Sequence, residues 1–310
     1  MDNKKIYDII IVGGGPGGFS AALYGARAGL SVLVLEKLYA GGQMSQPHQI
    51  DNYPGFPEGV DGFQLAQNMQ RQAERFGAET VLTEVQKMDL LASPKQVATD
   101  SGEYLAHTVI LAAGAGPKEL GIEKEKELTG RGVAYCAACD GNFYRGKVVA
   151  VVGGGNSAVA DALLLSRIAQ KVYLIHRRDS LRATKIYEQA LKNAENVEIL
   201  WNSQVVQLHH EEKLSAITVE QKGEAYRLPV DGLFISVGRK PATELVADQL
   251  ALDPGGYVIA GEDTKTEIPG VYAVGDIRAK QVRQIVTAVS DGAVAAHMAE
   301  EYLAQFSKGE

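Results

Sequence analysis

Cysteine is almost absent from this chain of 310 residues. It occurs twice, and both copies fall in one stretch, Cys136-Ala137-Ala138-Cys139-Asp140. Two sulfurs cannot build the multi-bridge framework of a small secreted domain. They also fall short of a zinc site, which needs four ligands, because no other cysteine exists and His107 and His176 stand far along the chain. No metal is expected. A purely structural bridge would close only a four-residue loop, stabilising by about 2 kcal/mol, and a chain of this length buries a sufficient core without it.

Other deficits narrow the class. No run of about 18 apolar residues occurs, so no membrane-spanning helix is expected. Positive charge is short, with 31 Lys and Arg against 38 Asp and Glu and a formal net charge of −7. A nucleic-acid face, which needs clustered basic residues, is therefore not expected. The amino terminus, Met1-Asp2-Asn3-Lys4-Lys5, runs into a strand at Tyr7 to Val12 without an apolar leader or cleavage site, and the expected location is cytoplasmic. What remains for the C-x-x-C pair is cycling between dithiol and disulfide, which such spacing permits and which often depresses the pKa of one thiol.

Glycine is abundant, with 34 copies, and two clusters of it flank the cysteines. The first follows the strand Ile9-Ile10-Ile11-Val12 as Gly13-Gly14-Gly15-Pro16-Gly17-Gly18, then a helix, then the strand Ser31 to Leu35 ending in Glu36 and Lys37. Gly13 permits the tight turn, Gly15 lets the backbone approach a pyrophosphate, and Gly18 lets helix and strand pack closely. Glu36, 23 residues after Gly13, stands where an acid accepts from a ribose 2′-OH. The second cluster repeats the plan. Val148 to Val152 leads into Gly153-Gly154-Gly155-Asn156-Ser157-Ala158, a helix to about Ile168, and the strand Lys171 to Ile175. The residue matching Glu36 is His176, followed by Arg177, Arg178 and Arg182. An acid there would repel a 2′-phosphate, whereas guanidinium forks bind one; a solvated basic surface is the competing reading. Unequal loops assign FAD to the first and NADPH to the second, with the dithiol between them.

The segment from Gly41-Gly42-Gln43 to Asn52-Tyr53-Pro54-Gly55-Phe56-Pro57 reads as irregular and flavin-facing. A helix is predicted from Gly62 to Phe76, where Phe63, Ala66, Met69, Ala73 and Phe76 recur at helical spacing as a core face. An antiparallel meander is predicted from Glu79 to Ala106, then a buried parallel strand from Thr108 to the turn at Gly114. A second meander and strand run from Ile217 to Gly238, and Val271 to Asp276 reads as another nucleotide-facing strand end. The predicted class is α/β, with two Rossmann-like nucleotide-binding domains. The NADPH domain, residues 117–245 with the dithiol, is inserted into an FAD domain formed by 1–116 and 246–310.

Taken together, these motifs resemble the bacterial-type, low-molecular-weight thioredoxin reductases along the whole chain. The matching pieces are the two glycine loops, Gly41-Gly42-Gln43, Asn52-Tyr53-Pro54-Gly55, the C-A-A-C-D stretch, His176-Arg177-Arg178 with Arg182, and Gly275-Asp276 with Arg283-Gln284-Ile285. The resemblance implies FAD contacts at Gly13, Gly15, Pro16, Gly17, Gly18, Glu36, Lys37, Gly42, Gln43, Asn52, Gly114, Gly275, Asp276, Arg283, Gln284 and Ile285. It implies NADPH contacts at Gly153, Gly155, Asn156, Ser157, Ala158, His176, Arg177, Arg178 and Arg182. It further implies a homodimer and thioredoxin as the acceptor. Hydride would pass from NADPH to the flavin and electrons on to the disulfide through Cys139. Cys136 would then attack the carrier and Asp140 would exchange protons, while the NADPH domain rotates between half-reactions. Without the resemblance, Asp140 also reads as a cap or turn carboxylate.

This chain has Ala113 and Ala138 where the family usually has Thr. Both changes bear on the flavin surroundings and the dithiol potential, and neither removes a reacting atom. Three other readings fit less well. A hydroperoxide reductase flavoprotein would carry an extra N-terminal domain. A ferredoxin-linked flavoprotein would lack the second loop or have no use for the cysteines. A redox-sensing binding protein would need no complete NADPH site.

Overall fold

The computed structural model describes residues 5–45 and 49–306; residues 46–48, inside the irregular segment, and both extreme termini lie outside the described residues. The chain starts with β1 (Ile6–Val12), in which Ile9, Ile10 and Ile11 are completely buried. A β-branched run covered on both faces belongs in a central parallel strand. α1 (Pro16–Arg27) has Pro in its first turn, where the missing N–H has no intrahelical partner to lose, and Gly15 is its N-cap. β2 (Val32–Glu36) returns parallel to β1. α2 (Gly62–Arg75) starts at Asp61, whose carboxylate accepts the Gln64 N–H at 2.8 Å. β3 (Glu79–Leu82), β4 (Val85–Asp89), β5 (Lys95–Thr99) and β6 (Gly102–Leu111) complete this stretch.

The sheet order is β3-β2-β1-β6-β5-β4. β6 pairs antiparallel with β5 through residues 102–106 and parallel with β1 through Leu105 to Leu111. The antiparallel meander is therefore β4, β5 and the start of β6. Its predicted first piece, β3, instead extends the parallel sheet beside β2. The predicted stripe on α2 also needs correction. Leu65, Ala66 and Ala73 are buried, whereas Phe63 and Phe76 are exposed. Phe63 falls off the buried arc, and Phe76 is the C-cap residue, with the Arg75 and Arg27 guanidiniums 4.8 and 5.5 Å from its ring.

β7 (Ala115–Pro117) leads out of this unit. A second compact unit, residues 117–239, follows. It contains β8 (Val133–Ala134), α3 (Ala137–Asp140), β9 (Val148–Val152), α4 (Asn156–Ser166), β10 (Lys171–His176), α5 (Lys185–Lys192) and β11 (Val197–Trp201). A meander, β12 (Ser203–His210), β13 (Leu214–Gln221) and β14 (Glu224–Pro229), precedes β15 (Gly232–Ile235). The parallel sheet has the order β11-β10-β9-β15-β8. The meander begins at Ser203, earlier than the predicted Ile217, because β12 pairs antiparallel with β13 along its length.

β16 (Arg239–Pro241) pairs with β7 and carries the chain back. The return falls at residue 240 and not at the predicted 246. Ala242 N already donates to Gly114 O at 3.0 Å, so the chain is bound into the first unit before residue 246. There β17 (Val271–Ala273) pairs parallel with the end of β6, and α6 (Ile285–Phe306) crosses α1. The crossing is close: a Cβ on Gly292 would collide with Gly17 O, and one on Gly17 would press on Ala288 O. Among the described residues, no helix is long and apolar enough to cross a membrane.

The two glycines of the first loop differ in their reasons. A Cβ on Gly18 would drive into the Gly13 carbonyl, whereas one on Gly15 meets nothing within 4 Å. Gly15 is extended (φ −78°, ψ −176°), a conformation open to any residue. Gly18→Ala should therefore lose roughly 1–3 kcal/mol as overpacking against backbone, and Gly15→Ala should lose little. Thermal unfolding of the two cofactor-free variants checks this, and equal losses would remove the distinction.

Candidate active site and nucleotide loops

β8 hydrogen-bonds to β15 through Val133 and Ala134, and the chain leaves that ladder at Tyr135. Cys136 is extended (φ −144°, ψ 102°) and serves as the N-cap of α3. Cys136 and Cys139 form a disulfide with Cα atoms 5.3 Å apart. The Cys139 N–H donates to Cys136 Sγ at 3.2 Å, and the Asp140 N–H donates to the Cys136 carbonyl at 3.0 Å. Ala137 points into the core, Ala138 is exposed, and both cysteines are half-buried. A peptide N–H aimed at a sulfur favours its thiolate over its thiol.

Asp140 sits beside this pair, also half-buried. Burial pushes its carboxyl up to about 6. Tyr144 is pushed up to about 12 by burial first, then by the Asp140 and Asp231 carboxylates. A carboxyl titrating near neutrality next to a reducible disulfide can take a proton from a thiol and give it back. Ala113 is exposed like Ala138, so the missing threonine atoms leave no internal cavity at either place.

The two glycine loops match bond for bond. Gly13 N donates to Leu35 O at 2.9 Å, and Gly153 N to Ile175 O at 3.1 Å. Gly15 and Gly155 are the N-caps of α1 and α4, and neither would find an atom within 4 Å of an added Cβ. The tips differ. Glu36 Oε2 accepts the Gly14 N–H at 2.6 Å. At the equivalent place in the second unit the His176 ring lies over Gly154, where any Cβ would strike it. Burial lowers the His176 pKa, and Arg182 and Arg178 add to that, so the ring stays neutral. Arg177, Arg178 and Arg182 are exposed and make no ion pair among the described residues.

Of the other anticipated residues, Gln43 Nε2 donates to Ala115 O at 2.5 Å and Asn52 Nδ2 to Gln284 Oε1 at 3.1 Å. Arg283 lies 4.0 Å from the Tyr257 ring centroid. Gly114 and Gly275 adopt left-handed backbone (φ +72° and +69°) at the ends of β6 and β17. Ile285 begins α6. Lys37 turns away to pair with Glu84 at 2.6 Å. In the second unit, Asn156 Oδ1 accepts the Thr184 N–H at 2.9 Å, Ser157 is exposed, and Ala158 is buried against Gly153.

Sequence reasoning missed Asp291. Its carboxylate accepts from Gly275 N (2.8 Å), Arg278 (2.8 and 2.9 Å) and Lys280 (2.7 Å), all nearly buried. Burial alone would raise this carboxyl, but those bonds outweigh it and hold it below the usual range. The only sequence signal is two cations two residues apart, Arg278 and Lys280, and an acid in the apolar first half of the helix that follows.

Comparison with known proteins decides the family. The pyridine nucleotide-disulphide oxidoreductase model matches residues 7–292. A Bacillus subtilis thioredoxin reductase is 42% identical over 99% of this chain and 98% of its own, and a Treponema pallidum one 43% identical over 96% and 97%. The crystal structure of a Streptococcus pyogenes thioredoxin reductase superposes with a TM-score of 0.89 at 41% identity, covering 97% of this chain and 99% of that one.

The chain belongs to the thioredoxin reductases. The family consists of flavoprotein oxidoreductases that use FAD and NADPH. The residues present fit both groups. In the first unit there is open space at the α1 N-terminus over Gly15, and the buried Arg283 Nε has no hydrogen-bond partner among the described residues. In the second there is the same space over Gly155 and, at the β10 tip, three guanidiniums with no ion pair among the described residues.

The raised Asp140 carboxyl has a consequence for a thioredoxin reductase of this build. The folded protein binds the proton more tightly than the unfolded chain, so this group's stabilising contribution is present below about pH 4 and lost as pH rises through about 6. Asp140→Asn should therefore raise the stability of the oxidised protein above pH 7 by about 1–3 kcal/mol. The gain should vanish towards pH 4 while disulfide reduction falls. Melting curves across that range check the sign, and a pH-independent gain would contradict the burial.

Proposed function

We propose that this chain is a cytoplasmic, homodimeric thioredoxin-disulfide reductase. FAD is assigned to the unit carrying Gly13 to Gly18, and NADPH to the unit carrying Gly153 to Ala158. The observation that carries the reading is the disulfide between half-buried Cys136 and Cys139, with the near-neutral carboxyl of Asp140 beside it, in the unit that also holds the arginine-flanked glycine loop. FAD, when bound, supplies the two-electron step between the nicotinamide and the disulfide. Thioredoxin is the assigned acceptor because the relatives that match over their full length are thioredoxin reductases.

In the first unit Gly15, Pro16, Gly17 and Gly18 offer peptide N–H groups and space to a pyrophosphate, Glu36 takes a ribose hydroxyl, and Asp276, Arg283 and Gln284 border the flavin. In the second, Arg177, Arg178 and Arg182 take the 2′-phosphate. Cys139 takes the flavin side of the dithiol and Cys136 the carrier side, the unit turning on its two chain crossings to serve both. The Cys136 thiolate attacks one sulfur of the thioredoxin disulfide, forming a mixed disulfide and releasing one thioredoxin thiolate. The Cys139 thiolate then attacks Cys136 Sγ, closing the 136–139 bridge and releasing the second. Asp140 accepts the Cys139 proton as that thiolate forms, before the attack, and returns it when the bridge is next opened.

Trapping tests the division of labour. With a thioredoxin lacking its resolving cysteine, Cys139→Ser should accumulate a stable mixed disulfide through Cys136, and Cys136→Ser should not. Trapping through Cys139 would exchange the roles, and trapping through neither would reject direct exchange.

Coenzyme choice is tested separately. Charged hydrogen bonds contribute roughly 1.5–3 kcal/mol each. Arg177→Ala or Arg182→Ala should each lower kcat/KM for NADPH roughly ten- to 150-fold and leave NADH almost unchanged. Equal losses with both coenzymes would mean that these side chains do not read the phosphate.

A further inference from the structure

Glu125 is 3% exposed, yet it carries a carboxylate into the core of the second unit. Four donors surround it. Oε1 accepts the Leu120 N–H at 3.0 Å and the Tyr135 hydroxyl at 2.8 Å; Oε2 accepts the Gly121 N–H at 2.8 Å and the Ile122 N–H at 3.2 Å. Three consecutive peptide N–H groups wrapped around one carboxylate already satisfy it. They fold residues 120–125 into a closed loop that packs, with Tyr135, against Leu128 and its neighbours. For that loop alone, a phenylalanine at 135 would serve as well as tyrosine. The hydroxyl is surplus to the loop, and it ends one residue before Cys136.

The position of that surplus bond matters. β8 stops hydrogen-bonding to β15 at Ala134, and α3 begins with Cys136 as its cap. Between the two, the path of the chain is held by Tyr135. Burial first, and then the bond to Glu125, raise the Tyr135 pKa, so the phenol keeps its proton and keeps donating. Residues 120–122 are also among the first of this unit after the chain crosses into it, and Lys118 N donates to Gly238 O at 3.0 Å where the chain is about to leave. One carboxylate therefore ties the beginning of the unit to the residue that sets the direction of Cys136.

We infer that Tyr135 and Glu125 are positioning residues for the dithiol: their hydrogen bond holds Cys136 where its sulfur closes readily onto Cys139. This rests on the reading of that pair as the working redox centre. A disulfide forms in proportion to the effective concentration of one thiol at the other, which depends on how tightly the backbone is held. Removing the tether lowers that concentration and shifts the pair towards the dithiol. Neither residue touches the reacting sulfurs.

The test equilibrates the holoenzyme, without NADPH, in glutathione buffers. Each enzyme disulfide reduced oxidises two glutathione thiols to one glutathione disulfide, and enzyme thiols are counted by alkylation and mass. Tyr135→Phe should shift the midpoint about tenfold towards the dithiol, which is about 30 mV for a two-electron couple, with melting temperature and FAD content retained. Glu125→Gln should shift it in the same direction, and adding Tyr135→Phe to Glu125→Gln should add little, because both remove one bond. An unshifted midpoint in Tyr135→Phe overturns the inference, and so does a tyrosine effect that persists undiminished beside Glu125→Gln. If Glu125→Gln does not fold, the tyrosine variant decides alone. Failure of the broader reading would appear in the thioredoxin trap and not here, since the glutathione equilibrium belongs to the cysteine pair whichever sulfur meets the carrier.

Discussion

At Gly13 and Gly18 the first turn of α1 comes so near the end of β1 that the Gly13 carbonyl occupies the space of a Gly18 side chain. That approach aims the α1 N-terminus, with its unsatisfied N–H groups, at the crevice beyond the strand ends. The second unit reaches the same geometry by another route. Ala158 keeps its methyl group, and Gly153 opposite it has none. With the backbone fixed alike in both units, selectivity is left to one position at the next strand tip. A carboxylate there, bonded to the Gly14 N–H, suits a hydroxyl. A neutral imidazole flanked by exposed guanidiniums suits a phosphate.

The buried acids divide by what reaches them. Asp291 collects two cations and a peptide N–H, and those bonds hold it ionised while fixing the Gly275 turn. Glu125 collects three peptide N–H groups and a phenol. Both are structural anchors, and breaking either would strand a buried charge. Asp140 is different. Among the described residues no donor reaches its carboxylate, so desolvation alone sets its pKa. An acid that is buried but unpartnered spends little to change protonation state, which is what proton exchange with a thiol requires.

Motifs governed by local backbone rules were legible in the sequence. The glycine loops need left-handed or uncrowded residues at set places, and the C-x-x-C pair needs only its own short spacing. Both could be read without a fold. Partnerships across the chain were not legible. Nothing in the spacing of Glu125 and Tyr135 distinguishes them from surface residues, and Arg278, Lys280 and Asp291 meet only once α6 has packed. Helical periodicity marked Phe63 and Phe76 as core. It cannot know that one lies off the buried arc and the other past the last turn. The chain's return to the first unit was placed late because β16 is three residues long and carries no hydrophobic pattern of its own.

A dithiol that must meet both an internal electron donor and a large external acceptor faces opposed demands. Enclosure would favour rapid internal reduction, and exposure is needed for a protein disulfide to reach the sulfur. The segment answers with an unequal build. On the upstream side, β8 and Tyr135 fix the backbone of Cys136. The sulfurs themselves stay half-buried, and one of the two residues between them, Ala138, faces solvent. Rigidity thus resides in the chain leading to the pair and access in the pair itself. Threonine in place of Ala138 would add atoms on the exposed side only. The alanine there alters what an approaching partner meets and leaves the support beneath the sulfurs unchanged.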